Sequence, residues 1–147
     1  MSRPRARSRR RLCDLSARDW LYLAIAAGEL ARARIVFAVR PAGATVARLQ
    51  AGGARASNER AVDVARLSWA IGAVGARAPW RADCLVQAMA AAHWLGRHGV
   101  RWAFYLGVAP AEGTIAAHAW LRVGDTMVTG GDGAAFTPLV APGRRAR

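Results

Sequence analysis

The spacing of apolar residues changes once along this chain, and that change limits the possible folds more than any other feature. Up to Gly99, apolar residues recur at the three- to four-residue interval of amphipathic helices. From Arg101 to Val108 they alternate with other residues, which is typical of a strand. A helical first part followed by an antiparallel sheet predicts an α+β domain. A chain of 147 residues is long enough to bury one such core.

Start and stop signals predict three helices. Ser16 and Asp19 have the spacing of a capping box, and glycine or proline follows each apolar stretch. The segment 41–56 is rich in glycine and alanine and is predicted to be a loop with at most one short turn. The predicted helices run from Ala17 to Val39, from Ser57 or Asn58 to Ala76, and from Cys84, capped by Asp83, to between Gly96 and Gly99. The buried faces are expected to comprise Trp20, Leu23, Ala27 and Leu30 in the first helix and Val62, Ala65, Trp69 and Ala73 in the second.

Alternation and turn residues predict three strands after the third helix. They are 101–108, 115–123 and 126–130, and Gly124-Asp125 is predicted to be the hairpin turn between the last two. The segment 136–139 is expected to pack back on the sheet. The third helix, with Cys84 at its N-terminus, is expected to pack on this small antiparallel sheet.

Most of the net charge of +13 lies at the two ends of the chain. Six arginines lie within residues 3–11 and three within 144–147, and without these nine the remaining 13 face nine acids, a net charge of +4. Arginine-rich tails suit a nucleic-acid-binding module, which stays an alternative although no zinc spacing or aromatic RNA-binding motif accompanies them. The predicted organisation is a basic disordered tail at 1–12, a helical region at 13–78, a core at 79–140 and a basic tail at 141–147.

The two cysteines, Cys13 and Cys84, lie in different contexts and predict neither a disulfide framework nor a C-x-x-C zinc site. A reducing, cytoplasmic location is expected, with no metal and no cofactor. The segment 8–12 resembles a twin-arginine export signal, but Asp14 and Asp19 interrupt the apolar stretch that such a signal needs. No apolar run is long enough for a membrane span.

Cys84 is a candidate nucleophile because it starts a helix. Free cysteines are often buried packing residues, and that interpretation remains open for Cys84. A cysteine in a first helical turn, however, faces unpaired amide N–H groups and the positive end of the helix dipole, and both stabilise a thiolate. Asp83 is expected to cap those amides rather than point at the sulfur.

His118 is the histidine best placed to act as a base for Cys84. His93 would lie about 180° around the same helix, and His98 would lie about 21 Å along its axis. These two are expected to be a helix-surface residue and a C-terminal cation. His118 lies in a strand beside small residues, which leave room for another element to approach. A core histidine with a satisfied hydrogen bond is the alternative.

A carboxylate that orients the imidazole would complete such a site. Asp125 lies in the hairpin turn, about 20 Å along an extended strand from His118. Asp132 falls opposite His118 if the hairpin loop has three residues. If the loop has two residues, Asp132 needs a bulge, for which Gly130-Gly131 is a natural place. Asp132 is therefore the candidate orienting residue.

The residues that carry chemistry resemble a known family. A cysteine that opens a helix, a helix that ends in glycine and a histidine on a strand resemble the transglutaminase-like, papain-like core. The wider set resembles the leader peptidases of lasso-peptide biosynthesis over about 79–139. The matching residues are Pro79-Trp80, Cys84-Leu85, His98-Gly99, Leu106-Gly107-Val108, Ala117-His118-Ala119-Trp120 and Phe136-Thr137-Pro138-Leu139.

The resemblance implies a cysteine protease with a Cys-His-Asp triad. Cys84 and His118 match the nucleophile and the base, and Asp132 lies near the point where family members often carry the acid. Such enzymes remove the leader from a ribosomally made precursor before a separate cyclase closes the ring.

The resemblance also implies partners. The first 78 residues predict helices and no clear strand, so the chain resembles the split type, in which a separate small winged-helix protein binds the leader. The precursor peptide is the substrate, and the lasso cyclase is a further partner. The same core also supports transglutaminases and amine acyltransferases, which pass the acyl group to an amine instead of water. Acyl transfer therefore remains an alternative.

Overall fold

The computed structural model describes residues 14–52, 62–131 and 133–142. Four helices precede a four-stranded sheet, and the predicted α+β class is confirmed. No helix in this described part of the chain is both long and apolar enough to cross a bilayer. The elements are α1 (Ala17–Val39), α2 (Ala42–Gly52), α3 (Val64–Gly75), α4 (Cys84–Arg97), β1 (Ala103–Ala111), β2 (Thr114–Val123), β3 (Thr126–Thr129) and β4 (Thr137–Val140).

The capping box at the start of α1 is confirmed, but the predicted buried face of this helix is right only in part, since Leu30 is buried and Leu23 packs against the core. The hydroxyl of Ser16 accepts from the amide of Asp19, and the Asp19 carboxylate accepts from the amide of Ser16. Trp20 is 52% exposed, because the helix turns a face that carries two acids toward the core. The buried residues are Asp19, Tyr22, Ala26, Glu29, Leu30 and Ala33.

Each buried acid of α1 has a basic partner on another helix. Asp19 accepts from Arg66 of α3 at 2.8 Å, and Glu29 accepts from Nδ1 of His93 of α4 at 2.7 Å. Burial of a charge is tolerated when it is paired and hydrogen-bonded. These two pairs explain why the apolar periodicity of α1 misplaces part of its buried face.

The prediction of a loop at 41–56 is wrong, because α2 occupies most of that segment. Alanine has the highest helix propensity, and the two glycines in α2 lie near its ends. Trp102 anchors the helix: its indole N–H donates to the Leu49 carbonyl at 3.0 Å. A Cβ at Gly52 would lie 2.8 Å from the same ring, so the end of α2 packs directly on Trp102.

α3 begins later than the sequence predicts. Asp63 is its N-cap and accepts from the amide of Arg66 at 2.9 Å. The predicted caps at 57 and 58 lie outside the described residues. The predicted buried face is right only in part: Val62 and Trp69 pack against the core, but Ala65 is exposed. The fully buried residues are Leu67, Ala70 and Ile71.

The sheet is antiparallel, in the order β3-β2-β1-β4. Gly124-Asp125 forms a two-residue hairpin turn, because Val123 pairs with Thr126. Further along the same pair, Leu121 faces Thr129, so one extra residue enters β3 as a bulge. The predicted return of 136–139 to the sheet is confirmed by β4.

β3 and β4 lie on opposite edges of the sheet, so the chain between them crosses one sheet face. Phe136 and Gly133, both in this connection, contact His118 and Trp120 of β2. On the other face of β2, Ala119 and Leu121 are fully buried in the core. His118 therefore lies beneath the connection, at the point where β3 ends.

Candidate active site

Cys84 is the first residue of α4, and its surroundings are set by the cap before it. A side-chain oxygen of Asp83 accepts from the amide of Val86 at 3.4 Å, so the carboxylate is directed at the helix end, as predicted. The thiol is half-buried and free. The amides of the first turn and the helix dipole favour negative charge at this position.

Gln87 lies one turn after Cys84 and ties down the segment before it. Its amide nitrogen donates to the carbonyl of Ala82 at 2.7 Å. A Cβ at Gly75 would lie 3.1 Å from that nitrogen, so the side chain also packs against the end of α3. The segment of chain that leads into Cys84 is thereby held between α3 and α4.

His118 lies in the middle of β2, opposite Gly107 of β1. Its Nε2 is hydrogen-bonded to the carbonyl oxygen of Gly130, just after β3. The ring stacks on Trp120 with 6.0 Å between centroids and is tilted against Phe136 at 4.8 Å. Its position and ring plane are therefore set by three neighbours.

Cys84 and His118 line the same cavity, which has a volume of about 260 Å³ and opens to solvent. Helices α3 and α4 supply two lining residues each, and the end of β3 with the two glycines after it supplies four. Two candidate residues that are remote in the sequence are thus brought to one site. The lining residues are Ser68, Gly72, Cys84, Gln87, His118, Val128, Thr129, Gly130 and Gly131.

The other two histidines lie outside the lining of this cavity. Nδ1 of His93 is bonded to Glu29, so this residue joins α4 to α1 and is more than the simple surface residue that was predicted. His98 is the C-cap residue of α4, and its Nδ1 donates to the carbonyl of Trp94 at 3.0 Å. Both have structural partners of their own.

The predicted orienting residue, Asp132, lies outside the described residues, as does Cys13. The bulge that a two-residue turn requires for Asp132 is present, but it lies between the partners of Leu121 and Arg122 and not at Gly130-Gly131. Asp125 is fully exposed in the turn, 3.7 Å from Arg122, and does not line the cavity.

Two wall residues were missed in the sequence, although their spacing contained a signal. Ser68 and Gly72 are four residues apart in α3 and therefore share one face. The Ser68 hydroxyl donates to the Val128 carbonyl at 2.6 Å, which fixes α3 to the end of β3. Gln87 had the same kind of signal, since it follows Cys84 by three residues on a helix.

The described residues contain no group of three or more histidine, cysteine or acidic side chains that could hold a metal ion. Cys84 and His118 bring a thiol and an imidazole to the cavity. Such a pair supports attack on a carbonyl carbon with formation of a thioester.

Comparison with known proteins gives one match. The family model of the transglutaminase-like superfamily matches residues 27–141, which include α2, α3, α4 and the whole sheet. No curated protein and no solved structure matches the chain.

Proposed function

Because the chain belongs to the transglutaminase-like superfamily, we propose that it is a cysteine peptidase with Cys84 as nucleophile and His118 as general base. Members of this superfamily are generally cysteine proteases and acyltransferases. The observation that carries the proposal is the cavity that Cys84, at a helix N-terminus, shares with His118.

The proposed reaction starts with transfer of the Cys84 proton to His118. The thiolate attacks the carbonyl carbon of the scissile peptide bond, and the imidazolium then gives its proton to the leaving amine. Water attacks the resulting thioester, His118 takes a proton from that water, and the carboxylic acid product leaves as the thiol is restored. Asp132 is proposed to favour the imidazolium as the acid of a Cys-His-Asp triad.

The start of α4 also offers donors for the oxyanion that forms during attack. Asp83 occupies the amide of Val86, so the amides of Cys84 and Leu85 are the first-turn donors that remain next to the sulfur. Backbone amides near a nucleophile commonly stabilise the tetrahedral intermediate. We assign this role to Cys84 and Leu85.

The proposed substrate is the precursor of a lasso peptide, from which the enzyme removes the leader before a cyclase acts. The support is the ordered set of motifs between Pro79 and Leu139 that resembles the lasso leader peptidases. The reaction is placed in the cytoplasm, because a free reactive thiol is best preserved in a reducing compartment.

A separate winged-helix protein is proposed to bind the leader. The described residues before Pro79 form three helices and no strand, so they do not supply the strand-bearing domain of a fused recognition module. Genes beside this one for a short precursor, a small leader-binding protein and an asparagine-synthetase-like cyclase would support this assignment.

The decisive experiment is cleavage of the purified precursor, followed by mass spectrometry. Wild-type protein with its leader-binding partner is expected to release leader and core peptide, and Cys84→Ala is expected to release neither. Full cleavage by the variant would contradict the proposal.

Acyl transfer to an amine is the second candidate, because the superfamily includes acyltransferases that form the same thioester. Adding a primary amine to the assay separates the two reactions. A peptidase yields the free carboxylate at the cleaved bond, whereas an acyltransferase yields the amide of the added amine.

A further inference from the structure

The hydrogen bond between His118 and Gly130 determines which ring nitrogen can act as the base. A carbonyl oxygen only accepts, so the Nε2 of His118 must carry the hydrogen. In the neutral ring the lone pair then lies on Nδ1, which is the nitrogen left to take the Cys84 proton. In a Cys-His-Asp triad, a carboxylate usually accepts this second N–H.

We propose that the backbone carbonyl of Gly130 orients His118, and that Trp120 is the positioning residue that holds this carbonyl in place. The role is that of an orienting group and depends on His118 being the base, so it rests on the function proposed above. With this carbonyl as the acceptor, the orienting bond does not require the carboxylate of Asp132.

Gly130 occupies a place that only glycine can take. Its φ is +86°, in the left-handed region that side chains disfavour. A Cβ there would lie 2.5 Å from the Ala119 carbonyl oxygen and 2.6 Å from the Trp120 Cβ. The chain therefore lies directly on the backbone of β2 at Ala119 and on the Cβ of Trp120, and this close contact brings the Gly130 carbonyl to His118.

Trp120 is itself held from several sides. It is 6% exposed and stacks on Tyr105 at 5.4 Å with only 4° between the ring planes. A Cβ at Gly133 would lie 2.6 Å from the indole, and one at Gly107 would lie 3.0 Å from it. The indole is thus packed between strand β1 and the connection that carries Gly130.

One side chain therefore acts on both partners of the hydrogen bond. The indole of Trp120 stacks on the imidazole of His118 and packs on Gly133, three residues after Gly130, so it restrains the ring plane and the connection that carries the acceptor. Displacement of a catalytic group by about 1 Å can lower the rate about 100-fold. The glycines that pack on Trp120 therefore help to align His118.

The first test needs no mutation. Long-range ¹H–¹⁵N spectra of the wild-type protein, at a pH where the rings are neutral, report which nitrogen of each histidine carries the hydrogen. His118 is expected to carry it on Nε2, whereas His93 and His98 are expected to carry it on Nδ1, where their acceptors lie. A hydrogen on Nδ1 of His118 overturns the proposal, whether or not the protein cleaves any peptide.

The second test compares two glycines with similar backbone conformations. Gly130→Ala is expected to lower kcat about 100-fold with little change in KM, because it displaces the acceptor and not the substrate. Gly113, in the β1–β2 turn, has φ +69° with open space around it, so Gly113→Ala carries the backbone strain alone and is expected to keep full kcat. Equal losses in both variants would overturn the proposal.

Trp120 variants separate positioning from general stability. Trp120→Phe keeps an aromatic ring beside His118 and Gly133 and is expected to retain most of kcat. Trp120→Leu removes that ring but keeps the Cβ next to Gly130, so it is expected to lower kcat clearly, though less than Gly130→Ala. Alkylation of Cys84 by iodoacetamide should follow the same order, and this readout does not depend on peptidase activity. Full alkylation of Cys84 in a folded Trp120→Leu variant would overturn the role of Trp120. The role of Gly130 would be overturned if its variant lost activity although His118 does not carry its hydrogen on Nε2 in the wild type.

Discussion

Cys84 and His118 line one cavity, although the first starts helix α4 and the second lies in the middle of strand β2. Neither residue holds the other in place. Cys84 is set by the Asp83 cap and the Ala82–Gln87 bond, and His118 by Gly130, Trp120 and Phe136. Because the two supports are independent, each side chain can be removed without dismantling the position of the other.

Cys84→Ala is expected to abolish leader cleavage while the protein remains folded. The side chain is small, half-buried and at the edge of a cavity, so its loss should shift Tm by no more than about 4 °C. Cleavage is followed by mass spectrometry and Tm by circular dichroism. Cys13 follows the basic tail in the sequence. Cys13→Ala is the matched control and should be nearly neutral in both measurements.

His118→Ala is expected to be nearly as damaging as Cys84→Ala, and the double variant little worse than either. Members of one catalytic unit lose their effect together, so their costs do not add. His98→Ala removes a histidine that lies outside the cavity lining and should leave the rate unchanged. Independent, multiplying losses for Cys84 and His118 would show that His118 is only structural.

Asp132→Asn is expected to cost less than loss of either member of the pair. An orienting or charge-stabilising group contributes less than the nucleophile or the base, and the Gly130 carbonyl already binds the Nε2 hydrogen. The measurement is kcat/KM beside Asp125→Asn, which alters an exposed turn residue. A loss as large as that of His118→Ala would make Asp132 the principal orienting group.

The stability of the protein should fall at acid pH in part through Asp19. Hydrogen bonds from the Ser16 hydroxyl and backbone amide, and then Arg66, hold the pKa of Asp19 below its ordinary value. Because folding lowers its pKa, the Asp19 carboxylate stabilises the fold fully above its unfolded pKa, and this stabilisation is lost as pH falls through the lower, folded pKa. Tm measured against pH should therefore drop less steeply in Asp19→Asn than in wild type, and Glu112→Gln, in an exposed turn, should not change the slope.

The elements that the sequence predicts best are those with local signals. α1 has its capping box, α4 has the Asp83 cap, and β2 has clear alternation, so their bounds are close to the predicted ones. The helix α2 was missed because its stability depends on Trp102, a residue far away in the sequence. The buried face of α1 was predicted only in part, because Asp19 and Glu29 are buried through pairing with basic residues on other helices.

The candidate site shows the same difference between groups that have a local sequence signal and groups that have none. Cys84 and His118 could be found because a thiol at a helix start and a histidine in an apolar strand are unusual in any sequence. The Gly130 carbonyl could not be found, since a backbone oxygen has no residue type of its own. Its signal was indirect, in the pair Gly130-Gly131, which suggested a bulge and in fact forms a sharp bend with φ of +86° and +62°.

The leader-binding partner should raise the rate of cleavage strongly at low substrate concentration. The cavity of about 260 Å³ can hold only a few residues around the scissile bond, so it leaves most of a leader without contacts. The net charge, which is +4 even without the arginines of the two tails, can attract an acidic leader or partner. It cannot fix the register of the bound peptide.

A partner that holds the leader beside Cys84 raises the local substrate concentration, often to the millimolar range for short linkers. This gain lowers the apparent KM, and it disappears when free precursor is close to the concentration that saturates the enzyme. We expect cleavage at micromolar precursor to be fast with the partner and slow without it, and the difference to shrink at millimolar precursor. Higher salt should weaken the reaction at low precursor, because it screens the attraction between exposed charges. Equal rates with and without the partner at micromolar precursor would contradict the split system, while leaving the chemistry at Cys84 intact.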